Sequence, residues 1–257
     1  MQFVFDLDGT ICFQGKPVSE KILTALANLE KAGGEVIFAS ARPIRDLLPV
    51  LAPAFHHHTL IGGNGALVAS GKQLQKNASF ELATLQSVMK LIEKYQASYL
   101  VDSLWDYAYT GPLNHPILQN VDPANLAHQV PLASLQSIVK ILILSATDFP
   151  ALEAELATLD LLVNRHYGES LLDLSPRGVH KFQALQSVGI EKNSYIAFGN
   201  DTNDISLFAN SHYAVQIGTH EALAGLANEQ ILLVDDYEEK IVAKIVELQN
   251  RYLGESQ

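Results

Sequence analysis

The feature that most constrains the fold is a repeated one: a short, wholly apolar run that stops abruptly on polar or glycine-rich residues. Phe3-Val4-Phe5 stops at Asp6, Val36-Ile37-Phe38-Ala39 at Ser40, Leu60-Ile61 at Gly62-Gly63-Asn64-Gly65, and Tyr195-Ile196-Ala197-Phe198 at Gly199-Asn200-Asp201. Uninterrupted apolar runs of this length read as strands buried on both faces, the pattern of parallel sheets. Between the first two, Ser19 to Ala32 carries Ile22, Leu23, Leu26 and Leu29 on one helical face and stops at Gly33-Gly34. Further runs follow at Tyr213-Ala214-Val215 and Ile231-Leu232-Leu233-Val234, and a helix from Glu238 to Tyr252 sets Ile241, Ile245 and Leu248 in phase to pack outside the sheet. Strands alternating with amphipathic helices predict an α/β fold with a doubly wound parallel sheet, whose ligands sit beyond the carboxyl ends of the strands.

The middle of the chain has a different texture. Ala66-Leu67-Val68-Ala69 precedes a turn at Gly71, and a helix near Leu85 to Tyr95 leads to strand candidates Tyr99-Leu100-Val101 and Tyr107-Ala108-Tyr109. After a loop from Gly111 to Pro131 come a strand at Ile138 to Leu144, a helix from Phe149 to Leu159 and two strands flanking Gly168. This stretch reads as an α+β insertion that interrupts the first domain, with edges near Lys72 and Pro176. The expected division is therefore 1–72 with 176–257 as the core domain and 73–175 as the inserted one.

Composition narrows the function. Apolar residues make up 48% of the 257 and charged residues 18%, with no low-complexity tract, which is ordinary globular material. A net charge of -11 argues against a nucleic-acid or anionic-membrane partner, since either requires clustered Lys and Arg, but it leaves room for a small anion held by a local cation or metal. The start of the chain carries no basic segment before its short apolar run, and no stretch is apolar enough to span a bilayer, so a cytoplasmic location is expected. Cys12 is the single cysteine, which excludes an internal disulfide or cysteine-rich zinc site and reads as a packed, inert thiol. His56-His57-His58 cannot all face one ion in regular structure and read as an exposed loop. Gly63-Asn64-Gly65 lacks the third glycine of a dinucleotide fingerprint, and no phosphate-binding loop with a GK[ST] end occurs, so no nucleotide cofactor is implied.

Asp6-Leu7-Asp8-Gly9-Thr10 sets two carboxylates two residues apart at the end of a buried strand. Burying charge there is costly unless metal, hydrogen bonds or function compensate; a solvated turn is the alternative reading. By themselves Ser40 and Lys181 read as a helix-capping serine and a solvated lysine.

Taken in order along the chain, these segments resemble the signature motifs of the haloacid dehalogenase superfamily. Asp6-Leu7-Asp8-Gly9-Thr10 looks like its DxDGT motif, Phe38-Ala39-Ser40-Ala41-Arg42-Pro43 like the second motif, Gly178-Val179-His180-Lys181 like the third, and Gly199-Asn200-Asp201-Thr202-Asn203-Asp204 like the fourth. The insertion between the second and third motifs, with Gly63-Asn64-Gly65-Ala66, resembles the Cof-type branch, class IIB, with a C2 cap. The likeness implies a Rossmann-like core with an inserted α+β cap, and a magnesium-dependent phosphatase that acts on a small phosphorylated metabolite, a sugar phosphate or similar phosphomonoester. It implies Asp6 as nucleophile, Asp8 as general acid and base, and Ser40 and Lys181 as stabilisers of transferring charge. Gly9, Ala41, Arg42, Asn64 and Asn203 become candidates to bind substrate or phosphate. Asp6, Asp8, Asn200, Asp201 and Asp204 become candidate ligands of Mg²⁺, an ion that prefers oxygen donors. Asn200 stands where the fourth motif usually has its first Asp, so either Asn200 or Asp201 supplies that ligand. His180 and Phe182 flank Lys181 where small residues are usual, and either narrow the entrance or pack. Substrate choice falls to the cap and its edges, with Arg42, Arg45, Trp105, Asp106, His115, Arg165 and His166 as candidates. The alternatives are a phosphosugar mutase and a phosphometabolite-binding regulatory protein with weakened catalysis, the latter suggested by Asn200.

Overall fold

The structure, a computed structural model, describes residues 1–71, 73–165 and 171–254. Thirteen strands run β1 (Gln2–Phe5), β2 (Glu35–Ala39), β3 (Thr59–Gly62), β4 (Leu67–Ser70), β5 (Gln73–Lys76), β6 (Ser98–Asp102), β7 (Tyr107–Tyr109), β8 (Lys140–Ser145), β9 (Leu161–Arg165), β10 (Leu172–Pro176), β11 (Tyr195–Gly199), β12 (Tyr213–Ile217) and β13 (Glu229–Ile231) among the described residues. The α-helices are α1 (Glu20–Lys31), α2 (Ile44–Leu47), α3 (Leu82–Lys94), α4 (Phe149–Leu156), α5 (Lys181–Ser187), α6 (Ile205–Phe208), α7 (Glu221–Ala224) and α8 (Tyr237–Leu253).

The expected doubly wound sheet is present, in the order β13-β12-β11-β1-β2-β3-β4-β5, with its first six strands mutually parallel. Its central strand shows why the run Phe3-Val4-Phe5 had to be wholly apolar. Phe3 and Phe5 face α1 and α8 through Ile22, Leu26, Ile241 and Ile245, while Val4 faces α5, α6 and α7 through Leu185, Leu207 and Leu223. Both faces exclude water, so alternation with polar residues was never an option. The chain leaves β1 toward β2 on one side and returns in β11 on the other, which opens a crevice at the carboxyl ends where the strand order reverses.

The insertion is an antiparallel sheet, β7-β6-β8-β10-β9, with α3 and α4 packed on one face. Alternation is strict there: Ile141 and Ile143 of β8 join the helices, and Leu142 and Leu144 belong to the cluster on the opposite face. Two sequence expectations need correction. Gln73–Lys76 pair with β4 and extend the large sheet, so the first edge of the insertion falls after Lys76 rather than at 73. The last strand ends at Ile231, and Leu232, Leu233 and Val234 are about half exposed beyond it. Lys72, Gly168 and the candidate His166 lie outside the described residues.

A buried charge cluster fixes the insertion to the core. Arg45 of α2, 1% exposed, donates to the carboxylates of Asp46 and Asp102 and to the Trp105 carbonyl, and its guanidinium lies over the Tyr107 ring. Asp46 in turn accepts from the Asp122 backbone N–H at 2.8 Å. Burial pushes the Asp46 carboxyl up to about 6, against the pull of Arg45. The folded protein therefore holds a proton that the unfolded chain releases from about pH 4 upward. That contribution to stability is complete below about pH 4 and is lost as pH rises through about 6. Between those limits the native protein is expected to lose about 2 kcal/mol more stability than Asp46→Asn, which cannot titrate. Urea unfolding of both across the range checks this, and parallel curves would contradict it.

Candidate active site

Four strand ends and one helix start converge at the crevice. The Asp6 N–H still bonds the Phe198 carbonyl, so its side chain emerges as the sheet stops. Its carboxyl is 3% exposed; Oδ1 accepts from Lys181 Nζ at 2.6 Å and Oδ2 from the Thr10 hydroxyl at 2.8 Å. Lys181, fully buried at the first turn of α5, also donates to Asp204 Oδ1 at 2.7 Å. Asp204 Oδ2 accepts the N–H groups of Asn200 and Asp201, which fixes the loop after β11. Burial pushes the Asp6 carboxyl up to about 7, opposed by the charge of Lys181. Burial also works against the Lys181 ammonium, but Asp204 and Asp6 outweigh it and raise its pKa. The cluster thus encloses two carboxylates around one ammonium, an arrangement with room for one more positive charge.

The two rivals for the fourth-motif ligand point different ways. Asn200 Oδ1 lies 3.2 Å from Thr10 Oγ1, the same hydroxyl that holds Asp6 Oδ2, so the two oxygens share one neighbour. Asp201 turns away: it caps the turn Thr202–Asp204, lies 3.3 Å from His220 Nε2, and its side chain is 53% exposed. Gly9 completes this corner, with φ +79° and an ideal Cβ position only 2.1 Å from Asn200 Nδ2. No non-glycine residue could sit there without displacing the amide.

Asp8 points the other way. Its carboxylate is 47% exposed on the cleft and receives both Nε (2.7 Å) and Nη2 (2.6 Å) of Arg42, a two-point ion pair. Ser40, 1% exposed, continues β2 through its N–H to the Ile61 carbonyl, and its Oγ accepts the Arg42 N–H. Asn64 occupies the left-handed region at φ +59°, tolerable for Asn, and its Oδ1 accepts from Asn203 Nδ2 at 3.1 Å. Gly65 lets this turn approach the third motif, since a Cβ there would stand 2.6 Å from the His180 carbonyl oxygen. The Ala41 side chain offers no polar contact, but its carbonyl accepts from Lys140 Nζ at 3.0 Å.

Other expectations sort clearly. Cys12 is buried, its thiol pushed up to about 11 by burial and then by Asp8, consistent with an inert packed side chain. The exposed-loop reading of the three histidines holds for His57 alone: His56 is half-buried, and His58 is buried, pairs with Glu30 and packs against Phe38 and Phe55. His180 stacks on Phe182 and caps α5 by accepting the Gln183 N–H, and it also lines a cleft beside Asn64 and Asn203. Of the candidates for substrate choice, Arg42 faces the cleft and Arg45 is consumed by the charge cluster. Trp105, Asp106, His115 and Arg165 bond locally to Leu126, His128, Ile117 and Glu153. Sequence reasoning overlooked Lys140 and Asp173, which pair at 3.0 Å on the core-facing side of the cap. The available signal was a charge embedded in each of two apolar strands, Lys140-Ile-Leu-Ile-Leu and Leu172-Asp173-Leu174.

Two oxygen donors on the first- and fourth-motif loops, the Asp6 carboxylate and the Asn200 amide, share Thr10 as a neighbour and suit a hard divalent cation; the family resemblance implies the Asp8 backbone carbonyl as a third. Among the described residues no three His, Cys, Asp or Glu side chains form a cage. An octahedral magnesium site needs only one or two carboxylates, the remainder being water and substrate oxygens, so the residues present fit that ion.

Comparison with known proteins bears on the family and the fold. A family profile described as haloacid dehalogenase-like hydrolase matches residues 3–245. A Mycoplasma pneumoniae protein provisionally named a phosphatase is 25% identical over 251 residues, 86% of this chain and 87% of its own. An HMP-PP phosphatase of Escherichia coli O6:H1 is 26% identical over 219 residues, 78% of this chain and 77% of its own. Among solved structures, a sugar phosphatase of haloacid dehalogenase subclass IIB superposes with a TM-score of 0.77 at 16% identity, covering 96% of this chain and 98% of its own.

Proposed function

The chain belongs to the haloacid dehalogenase-like hydrolases, as a Cof-type, subclass IIB phosphoric monoester hydrolase, and on that premise we propose that it is a magnesium-dependent cytoplasmic phosphatase that forms and hydrolyses a phosphoaspartate on Asp6. The observation that carries the reading is the placement of the two carboxylates. Asp6 is buried, with Lys181 on one oxygen and Thr10 on the other, whereas Asp8 faces the open cleft. A nucleophile needs the first environment and a proton carrier the second.

An Asp6 oxygen attacks phosphorus as the bond to the leaving oxygen breaks. Protonation of Asp8 opens one arm of its pair with Arg42, and the oxygen so freed gives its proton to the leaving oxygen while the other arm keeps the carboxyl facing the cleft. It then takes a proton from the water that attacks the phosphoaspartate, which releases phosphate and restores Asp6. The Ser40 hydroxyl, Lys181 and the Asn64–Asn203 pair hold the phosphoryl oxygens, where charge concentrates during transfer. Asp6, Asn200 and the Asp8 carbonyl would hold magnesium, with Asp204 orienting the loop that carries Asn200; the ion would screen the repulsion between the carboxylate and the phosphate ester. Asp201, the remaining candidate ligand, serves as a turn cap.

Phosphate release from a panel of small phosphomonoesters, with and without magnesium, tests the reading; release that persists unchanged in chelator sinks the metal requirement. A sharper variant is Gly9→Ala, whose added methyl must displace the Asn200 amide. It is expected to raise the magnesium concentration for half-maximal turnover about tenfold, read from a magnesium titration. An unchanged titration would remove Asn200 from the ligand set.

A further inference from the structure

The cleft beside Asp8 has a chemistry of its own, from which we infer that the leaving group is an uncharged alcohol bearing a single apolar ring-sized face, rather than a sugar polyol or a compound with a second phosphate. The inference rests on the phosphatase reading and specifies its substrate.

The cleft encloses about 380 Å³ between the first- and second-motif loops and the core-facing side of the cap sheet. That is the small end of ligand pockets, suited to one ring and too small for a dinucleotide. The part beyond Asp8 is walled by Leu100 of β6, Leu142 of β8, Leu171, and Ile117 and Val121 from the loop after β7. Five aliphatic side chains give hydroxyl groups nothing to bond, and each sugar hydroxyl buried against them without a partner would oppose binding.

The charged residues facing the same space are already engaged. Arg42 spends its fork on Asp8, and Lys140, 6% exposed, binds the Ala41 carbonyl and Asp173, each at 3.0 Å. No other cation lines the cleft among the described residues, and Asp46 adds a further carboxyl. To capture a second phosphate, Arg42 would have to release Asp8, or Lys140 would have to give up both its bond to the Ala41 carbonyl and its 3.0 Å pair with Asp173. A neutral, apolar-faced group requires no such exchange. Asn120, on the same wall, can mark one polar edge of the ring.

The test compares magnesium-supported phosphate release from benzyl phosphate, glucose 6-phosphate and fructose 1,6-bisphosphate. The first two lose primary alkoxides of similar intrinsic reactivity, so the ratio of kcat/KM reports the fit of the cleft. Benzyl phosphate is expected to exceed each sugar phosphate by about tenfold or more, and Ile117→Asn, on a half-buried wall position, to shrink that ratio several-fold. Asp6-dependent turnover that favours either sugar phosphate overturns the leaving-group assignment and leaves the phosphatase reading standing. No Asp6-dependent release from any of the three overturns both.

Discussion

Asp6→Asn is expected to lower phosphate release by about a thousandfold or more while leaving the protein folded. The amide is nearly the same shape as the carboxylate and still fits between Lys181 and Thr10, but it has no anionic oxygen to attack phosphorus. Folding is safe for a physical reason: burial already pushes the Asp6 carboxyl up to about 7, so the native state holds this charge at a cost that a neutral amide removes. The expected pattern is therefore lost turnover with unchanged or slightly higher thermal stability. Turnover retained within tenfold of the native protein would take the nucleophile away from Asp6.

Lys181→Met is expected to have the largest effect on stability, about 3–5 kcal/mol. The methionine fills the space of the aliphatic stem, so the loss is electrostatic. Asp6 and Asp204, 3% and 0% exposed, would face each other with no ammonium between them. The origin of the loss can be checked within the same protein, because adding Asp204→Asn to Lys181→Met removes one stranded carboxylate and should restore a substantial part of the stability. Denaturant unfolding of the native, single and double variants reads this directly. A Lys181→Met protein as stable as the native one would mean that the buried ammonium contributes no net attraction.

The residues that line the crevice were legible in the sequence for one reason. A strand buried on both faces tolerates nothing but apolar residues, so each polar residue that ends such a run marks a place where the sheet opens to the crevice. Asp6, Ser40, Asn64 and Asn200 all follow from that rule, and the order of the motifs supplied Lys181. Where burial imposes no pattern, legibility fails. Gln73–Lys76 is a mostly exposed edge strand, held by backbone bonds to β4 that place little demand on its side chains. Leu232-Leu233-Val234 is apolar without being buried, so composition alone overextended β13.

Local and distant pairings hid the rest. Asn200 and Asp201 are equivalent candidates in sequence; only the capping turn shows that Asp201 spends its carboxylate beside itself, leaving Asn200 next to Thr10. Arg45, Asp46, Asp102 and Asp122 are separated by up to 77 positions and meet through the packing of the cap on α2, which no periodicity encodes. The three consecutive histidines illustrate the converse, since His58 is absorbed by an aromatic cluster and a carboxylate contributed from α1.

Direct capture of the phosphoaspartate is the most incisive measurement. Asp8→Asn should be mixed with magnesium and p-nitrophenyl phosphate, then quenched in acid and digested. Nitrophenolate leaves without a proton, so the first step needs no acid, whereas the second lacks the base that activates water. The expected result is a burst of nitrophenol of about one equivalent per chain, with the phosphoryl group on the peptide at Asp6 and absent from Asp6→Asn treated in the same way. A phosphoryl group on any other residue, or multiple turnovers by Asp6→Asn, would contradict the assignment of Asp6 as the nucleophile.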